Sequence, residues 1–225
     1  YRIRGGERKL RKKMQIAIDG PAGAGKSTIA KRIAQEKGIV YLDTGAMYRA
    51  ITYGIIKTGG DFSDKQAIID FTEHADICFR KSDVYLNQQK ITTAIRTPKV
   101  SRHTSDVACI PEVRACLVKQ QRVIAANTSV IMDGRDIGSV VLPDADFKFY
   151  LDASVDERAK RRFDELSEKG DTQSFEEIRQ DILKRDYNDS HREAGPLVCC
   201  KDAIVVDTTG LDIQGVCDRI LSIIG

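Results

Sequence analysis

The sequence has no apolar run approaching bilayer-spanning length, which excludes a transmembrane helix. No apolar h-region is present near its start, so no signal peptide is read there. Six cysteines (Cys78, Cys109, Cys116, Cys199, Cys200, Cys217) occur without one C-x-x-C pair. They are expected to be reduced thiols of a cytoplasmic protein rather than metal ligands or a redox couple. Charge of one sign is also missing. Lys and Arg total 36 against 33 Asp and Glu, and a net charge of +3 is too small to argue for a nucleic-acid partner. There is no internal repeat and no low-complexity segment. No N-K-x-D segment stands at a strand end, which argues against a guanine-reading switch. What remains is an ordinary globular composition, long enough at 225 residues for one α/β domain with small insertions.

What is present is concentrated in Gln15 to Thr28. A short apolar run ends in Gly20-Pro21-Ala22-Gly23-Ala24-Gly25-Lys26-Ser27-Thr28, which fits G-x-x-x-x-G-K-[ST] at every fixed position. The context fits as well, with a buried strand before the loop and an amphipathic helix from Lys26 to Lys37 after it. Glycine lets the backbone take positive φ and approach a ligand. Successive N–H groups then form an anion-binding concavity, to which the following helix adds its positive end. Lys26 would reach the outer phosphates and the Ser27 hydroxyl would ligate Mg²⁺. The expectation is binding of ATP or GTP with magnesium.

Residues 1–13 are highly basic and differ in character from the rest of the chain. They are expected to be a leader or a disordered extension. Beyond them strands alternate with helices. Gln15 to Asp19 reads as a strand, Ile39 to Leu42 as a second, and Ala46 to Lys57 as a helix capped by Thr44. Another helix begins after a Ser63 cap. Residues 77–96 differ. Ile77 to Arg80 and Val84 to Asn87 are short strands, and a third begins at Ile91, making a small antiparallel meander. Val100 to Cys109 and Pro111 to Ala126 are helices, Ser129 to Asp133 and Phe147 to Leu151 strands. Two charged helices come next, Asp156 to Glu168 and Phe175 to Asp189, with a loop from Ser190 to Pro196. Ala203 to Asp207 is the last strand and Asp212 to Ile224 the closing helix.

This alternation predicts an α/β fold with a parallel sheet of about five strands covered by helices on both faces. The domain reading is a core over 14–60 and 106–225, a lid at about 160–175, and an insertion over 61–105. Ligands of such sheets bind outside the carboxyl ends of the strands. There Asp133 follows Val130-Ile131-Met132, a position where a carboxylate either holds magnesium or is satisfied by backbone N–H groups. Arginines gather near the same ends, among them Arg49, Arg96, Arg114, Arg135, Arg158, Arg185 and Arg192. Arg161 and Arg162 precede a Gly170-containing loop, which suits a lid that arrives on closure and excludes water. Arginine beside aspartate, as in Arg135-Asp136, suits a polar planar ligand such as cytosine, whose amino group a carboxylate accepts from.

The loop, with Leu42-Asp43-Thr44-Gly45-Ala46-Met47-Tyr48-Arg49, Ile95-Arg96-Thr97, Met132-Asp133-Gly134-Arg135-Asp136-Ile137-Gly138 and Leu142-Pro143-Asp144-Ala145, resembles the bacterial cytidylate kinase family. Tyr150-Leu151-Asp152-Ala153-Ser154, Glu157-Arg158-Ala159, Arg161-Arg162 and Arg185-Asp186 with Pro196-Leu197 extend the resemblance over residues 14–224. It implies a P-loop kinase fold with a nucleoside-monophosphate-binding insertion and a lid. It also implies transfer of the γ-phosphoryl of ATP to CMP or dCMP. By the same resemblance Thr44, Arg49 and Arg192 would hold the CMP phosphate with Arg135 nearby. Ser105, Arg114 and Asp136 would read cytosine, and Arg185 and Asp189 would hold the ribose. Lys26, Arg135, Arg161 and Arg162 would neutralise the transferring charge, with Mg²⁺ on Ser27 and Asp133. No general base is required, so His191 is read as a bystander and His74 and His103 as surface or insertion residues. ATP and CMP or dCMP are the expected partners, on a monomer, with no nucleic acid and no membrane. The alternatives are a kinase of UMP, another monophosphate or a coenzyme precursor, and a nucleotide switch.

Overall fold

A computed structural model describes residues 13–80, 83–168 and 170–225. The basic extension expected at 1–13 lies, apart from Lys13, outside the described residues. In chain order the elements are β1 (Gln15–Asp19), α1 (Lys26–Lys37), β2 (Val40–Asp43), α2 (Thr44–Thr58) and α3 (Lys65–His74). Next come β3 (Ile77–Arg80), β4 (Asp83–Leu86), β5 (Gln89–Lys90), α4 (Pro98–Ala108) and α5 (Pro111–Asn127). The chain closes with β6 (Val130–Gly134), β7 (Phe147–Asp152), α6 (Val155–Glu168), α7 (Phe175–His191), β8 (Ile204–Asp207) and α8 (Ile213–Ile224).

Five strands form a parallel sheet in the order β2-β6-β1-β7-β8, as the alternation predicts, and β3, β4 and β5 form the antiparallel meander. β1 shows why its residues make the central strand. Ile16 and Ile18 point to one face, packing with Ile29 and Ile33 of α1 and Ile220 of α8. Ala17 points to the other, with Met132 and with Val118 and Ala125 of α5. Side chains alternate across a strand, so both faces are buried and none of these positions is polar. A further apolar cluster joins α2, α3 and α5 to Val84 and Leu86 of β4. The meander therefore shares its core with α2 rather than standing alone. Gly54 of α2 permits this, because a Cβ there would run into Phe71 and Leu86.

The register aligns the strand ends. Asp43 pairs with Asp133 across β2 and β6, and Asp152 with Asp207 across β7 and β8. With Asp19, every strand of the sheet thus carries an aspartate at its last or penultimate position. These carboxylates lie along the carboxyl edge of the sheet.

Several boundaries differ from expectation for local reasons. Asp43, not Thr44, caps α2, since its carboxylate accepts from Ala46 N at 2.8 Å and frees the Thr44 hydroxyl for another partner. Asp64, not Ser63, caps α3 in the same way. The third meander strand begins at Gln89 rather than Ile91. Asn87 and Gln88 take φ of 48° and 66° and turn the chain in two residues. α7 continues through His191, two residues past its expected end. A π-helical turn over Ile137–Val141 was not read from the sequence.

Candidate active site

The phosphate-binding loop leaves β1 at Gly20, where φ is 146° and a Cβ would fall on the Leu151 carbonyl oxygen. Only glycine lets the loop cross β7 so closely. Gly25, at φ 84°, precedes α1 in the left-handed region. The first turn of α1 has no side-chain cap and no acidic residue, so its N-terminal amides remain available to an anion. Lys26 folds back, and its buried ammonium donates to the Pro21 carbonyl at 2.6 Å. Burial, then the guanidiniums of Arg135 and Arg185, hold its pKa well below the usual lysine range, against the pull of Asp133 and Asp189. Those four residues surround the Lys26 ammonium with charge of both signs.

Asp133 is buried at the end of β6. Its two oxygens accept from Ser27 Oγ at 2.7 Å and Tyr41 OH at 2.8 Å. Its side-chain partners are therefore hydroxyls and not the backbone N–H groups that were one of the two expectations. Burial, then the neighbouring Asp43, raise its pKa. Thr44 is buried and donates from Oγ1 to the Asp133 carbonyl at 2.7 Å, which fixes the start of α2 against β6.

A second cluster in the cleft is built from two carboxylates and the guanidiniums around them. Asp189 Oδ2 accepts from Arg135 Nε at 2.8 Å, with Arg185 Nε 4.0 Å away, and Arg192 Nη1 lies 3.6 Å from Oδ1. Burial alone would raise the Asp189 carboxyl, but these three cations hold it below the usual carboxylate range. Burial, then Arg135, push Arg185 down to about 10. Asp136 pairs with Arg114, and Arg192 Nη2 lies 3.6 Å from its Oδ1. Arg114 donates to the Ala108 carbonyl at 3.3 Å and lies 5.3 Å from the Tyr48 ring centroid. Gly195, at φ 59°, abuts this pair so closely that a Cβ would overlap both side chains. Ser105 is half-buried on α4.

Asp43 holds a third group. Arg49 Nη2 contacts both of its oxygens, at 3.2 and 3.0 Å, and Arg96 Nη2 one of them at 3.2 Å. Burial would raise Asp43, and Arg49 and Arg96 bring it below the usual value. Among the described residues, Arg49 Nε and Arg185 Nε are buried without a hydrogen-bond partner. Buried donors left unpaired are costly, and an anion seated between the two arginines would satisfy them.

Not every expected residue comes to this cluster. Arg161 donates to Thr208 Oγ1 at 3.0 Å and to the Thr208 carbonyl at 2.7 Å, and Arg162 pairs with Glu165 on the surface of α6. His191 is bonded to the Tyr187 carbonyl of its own helix and stacks on the Tyr187 ring. Other site residues were not assigned from the sequence: Tyr41 on Asp133, the Asp43 anchor for Arg49, and Asp19. The repeated aspartate at strand ends is the signal that points to the last two.

Asp19 closes β1 and accepts from Ile137 N at 2.8 Å and Gly138 N at 2.7 Å. Burial pushes its pKa up to about 6, despite those two N–H groups. From the ordinary value of 3.8 to about 6, the folded chain keeps a proton that the unfolded chain has released. Stability therefore falls as pH rises through that window. Asp19→Asn removes the titration. Urea unfolding measured from pH 3.8 to about 6 should show wild type losing about 2 kcal/mol relative to the variant. Parallel profiles would refute the assignment.

A parallel sheet with a phosphate-binding loop after its central strand and an arginine-lined cleft beside it is the fold of a P-loop kinase. The sequence matches the family described as Cytidylate kinase over residues 16–225, and the chain belongs to that family. A cytidylate kinase of Clostridioides difficile (strain 630) is 50% identical over 207 residues, covering 92% of this chain and 96% of that one. One of Streptococcus uberis (strain ATCC BAA-854 / 0140J) is 51% identical over 210 residues, covering 91% and 93%. An uncharacterized protein from Eubacterium ventriosum ATCC 27560, solved by crystallography, has a similar fold. It aligns at a TM-score of 0.53 with 14% identity, over 94% of this chain and 98% of that one.

Proposed function

We propose that the chain transfers the γ-phosphoryl group of ATP to CMP or dCMP, giving ADP and CDP or dCDP. The observation that carries the acceptor half is the pair of unpaired buried donors, Arg49 Nε and Arg185 Nε, together with the buried Asp136–Arg114 pair. The first two suit a nucleotide phosphate. The second suits a base with an amino donor next to ring acceptors, which is cytosine and not uracil.

The donor triphosphate lies on the loop amides and the N-terminus of α1, with Lys26 leaving Pro21 for the outer phosphates. Thr44, Arg49 and Arg192 hold the acceptor phosphate with Arg135 beside it. Arg185 and Asp189 hold the ribose, and Ser105, Arg114 and Asp136 the base. The acceptor phosphate oxygen is already ionised at neutral pH, so the residues position and neutralise rather than abstract a proton. Arg161 and Arg162 serve this from the lid side once they leave Thr208 and Glu165.

The donor set fits magnesium. Ser27 Oγ and Asp133 Oδ2 are hard oxygen ligands 2.7 Å apart, and among the described residues no cluster of three or more His, Cys, Asp or Glu side chains competes for a metal. Mg²⁺ typically takes one or two protein oxygens and completes its shell with water and phosphate. When bound it would neutralise charge on the transferring phosphates. Asp133 in its ionised form and Ser27 would be its protein ligands.

Steady-state assays with ATP and each of CMP, dCMP, UMP, AMP and dTMP test the proposal. A buried polar mismatch should hold kcat/KM for UMP at least about a hundredfold below that for CMP. Equal or better turnover of UMP or AMP would overturn it.

A further inference from the structure

One residue of the phosphate-binding loop is held at both its N–H and its carbonyl by residues to which none of the roles above belongs. The Ala22 N–H donates to Asp186 Oδ1 at 3.0 Å, and the Ala22 carbonyl accepts from Arg158 Nη1 at 2.9 Å. Arg158 and Asp186 also pair directly with each other. Arg158 is only 4% exposed, and its Nε donates to the Ala153 carbonyl at 3.0 Å, so the guanidinium has no freedom to swing away. The loop rests on the same helix one residue further on, where a Cβ on Gly23 would come within 3.1 Å of Arg158 Cβ.

The placement of Asp186 matters more than the bond it makes. It lies on α7 immediately after Arg185 and three residues before Asp189. Residues 185 and 189, one turn apart, share the face turned to the acceptor cluster. Residue 186 is rotated about 100° from that face, toward the loop. A single helix therefore touches the acceptor nucleotide's site with two side chains and the donor loop with a third. A buried ion pair adds little net stability. What this one supplies is orientation, because the two peptide groups that flank Ala22 are each held, the first by its N–H and the second by its carbonyl. The second of them carries the Gly23 N–H, and the amides of Ala24 to Lys26 follow it.

We propose that Arg158 and Asp186 are positioning residues that couple the two nucleotide sites. An acceptor nucleotide on Arg185 and Asp189 fixes α7, and α7 through Asp186 and Arg158 fixes the two peptides flanking Ala22 and with them the loop amides that receive the triphosphate. The inference rests on the acceptor role proposed above for Arg185 and Asp189. Coupling of this kind is reciprocal, so each nucleotide tightens the other by the same factor.

The test is calorimetric titration of a non-hydrolysable ATP analogue with and without saturating CMP, and of CMP with and without the analogue. In wild type the two factors should be equal, at about fivefold or more. In Asp186→Asn both should fall to about one while affinity for CMP alone is retained, because the acceptor contacts are intact. Arg158→Lys keeps the charge but loses the fork that reaches Ala22, Ala153 and Asp186 together, so it should lose the coupling too. It carries the test if Asp186→Asn does not fold. A variant that keeps the wild-type factor, or a wild type with no coupling, overturns the proposal. Arg185→Ala separates the two levels: unchanged CMP affinity there refutes the acceptor role itself. A weakened CMP with coupling retained in Asp186→Asn refutes only the coupling.

Discussion

Lys26→Ala should lower kcat by about 10²–10³-fold, the loss expected when a preorganised cationic donor to a transferring phosphoryl group is removed. The fold should survive the change. Lys26 is buried, and burial together with Arg135 and Arg185 holds its pKa below the usual range, so the folded chain gains no stability from its charge. Its one hydrogen bond, to the Pro21 carbonyl, is local to the loop. The signature is therefore a kcat collapse with an unchanged or slightly raised melting temperature, read by single-turnover kinetics and scanning calorimetry on the same preparation. A lowered melting temperature with kcat intact would show that Lys26 is structural.

Asp136→Asn should do two separable things. It removes the one carboxylate shared by the buried guanidiniums of Arg114 and Arg192. Breaking a buried pair by neutralising one partner costs about 3 kcal/mol, which urea unfolding measures directly. It also replaces an acceptor with an amide that can turn a donor toward the base. CMP should weaken more than UMP, and the ratio of their kcat/KM values should fall by about 10- to 100-fold. The ratio, not the absolute rate, is the informative quantity, since lost stability affects both substrates alike. If the ratio holds while the stability falls, Asp136 supports the arginines and does not read the base.

The parallel sheet was legible because its strands bury both faces, and apolar runs such as Ile16-Ala17-Ile18 and Val130-Ile131-Met132 have no other use. The phosphate-binding loop was legible because its glycines must take positive φ and its lysine stands at fixed spacing after them. The meander was legible in outline, but its last strand was displaced by the Asn87-Gln88 turn, whose positive φ values no glycine announces. What could not be read was pairing between distant segments. Nothing local to Tyr41 says that its hydroxyl meets Asp133, nor anything near Ala22 that it meets Asp186 across 164 residues. The arginines of the cleft were gathered from their places near the strand ends, and their roles toward an acceptor came only from the resemblance. Which of them share a carboxylate became visible only once α7 lay beside β6. The capping misassignments at Thr44 and Ser63 share one cause, an aspartate adjacent to a hydroxyl residue, where the carboxylate takes the cap.

The two amides that Asp19 accepts belong to the segment carrying Arg135 and Asp136, while Asp19 itself leads into Gly20. β1 and β6 are paired over five residues just before these points. The floor under the donor and the floor under the acceptor are thereby one rigid plate, bolted at Asp19 and set when the chain folds. Substrates cannot be brought together by sliding one floor along the other. On the roles proposed above, the contacts of Arg49 and of Arg185 and Asp189 with an acceptor stand on α2 and α7, the elements flanking this plate. Alignment would then depend on the seating of those helices as well as on the plate beneath them.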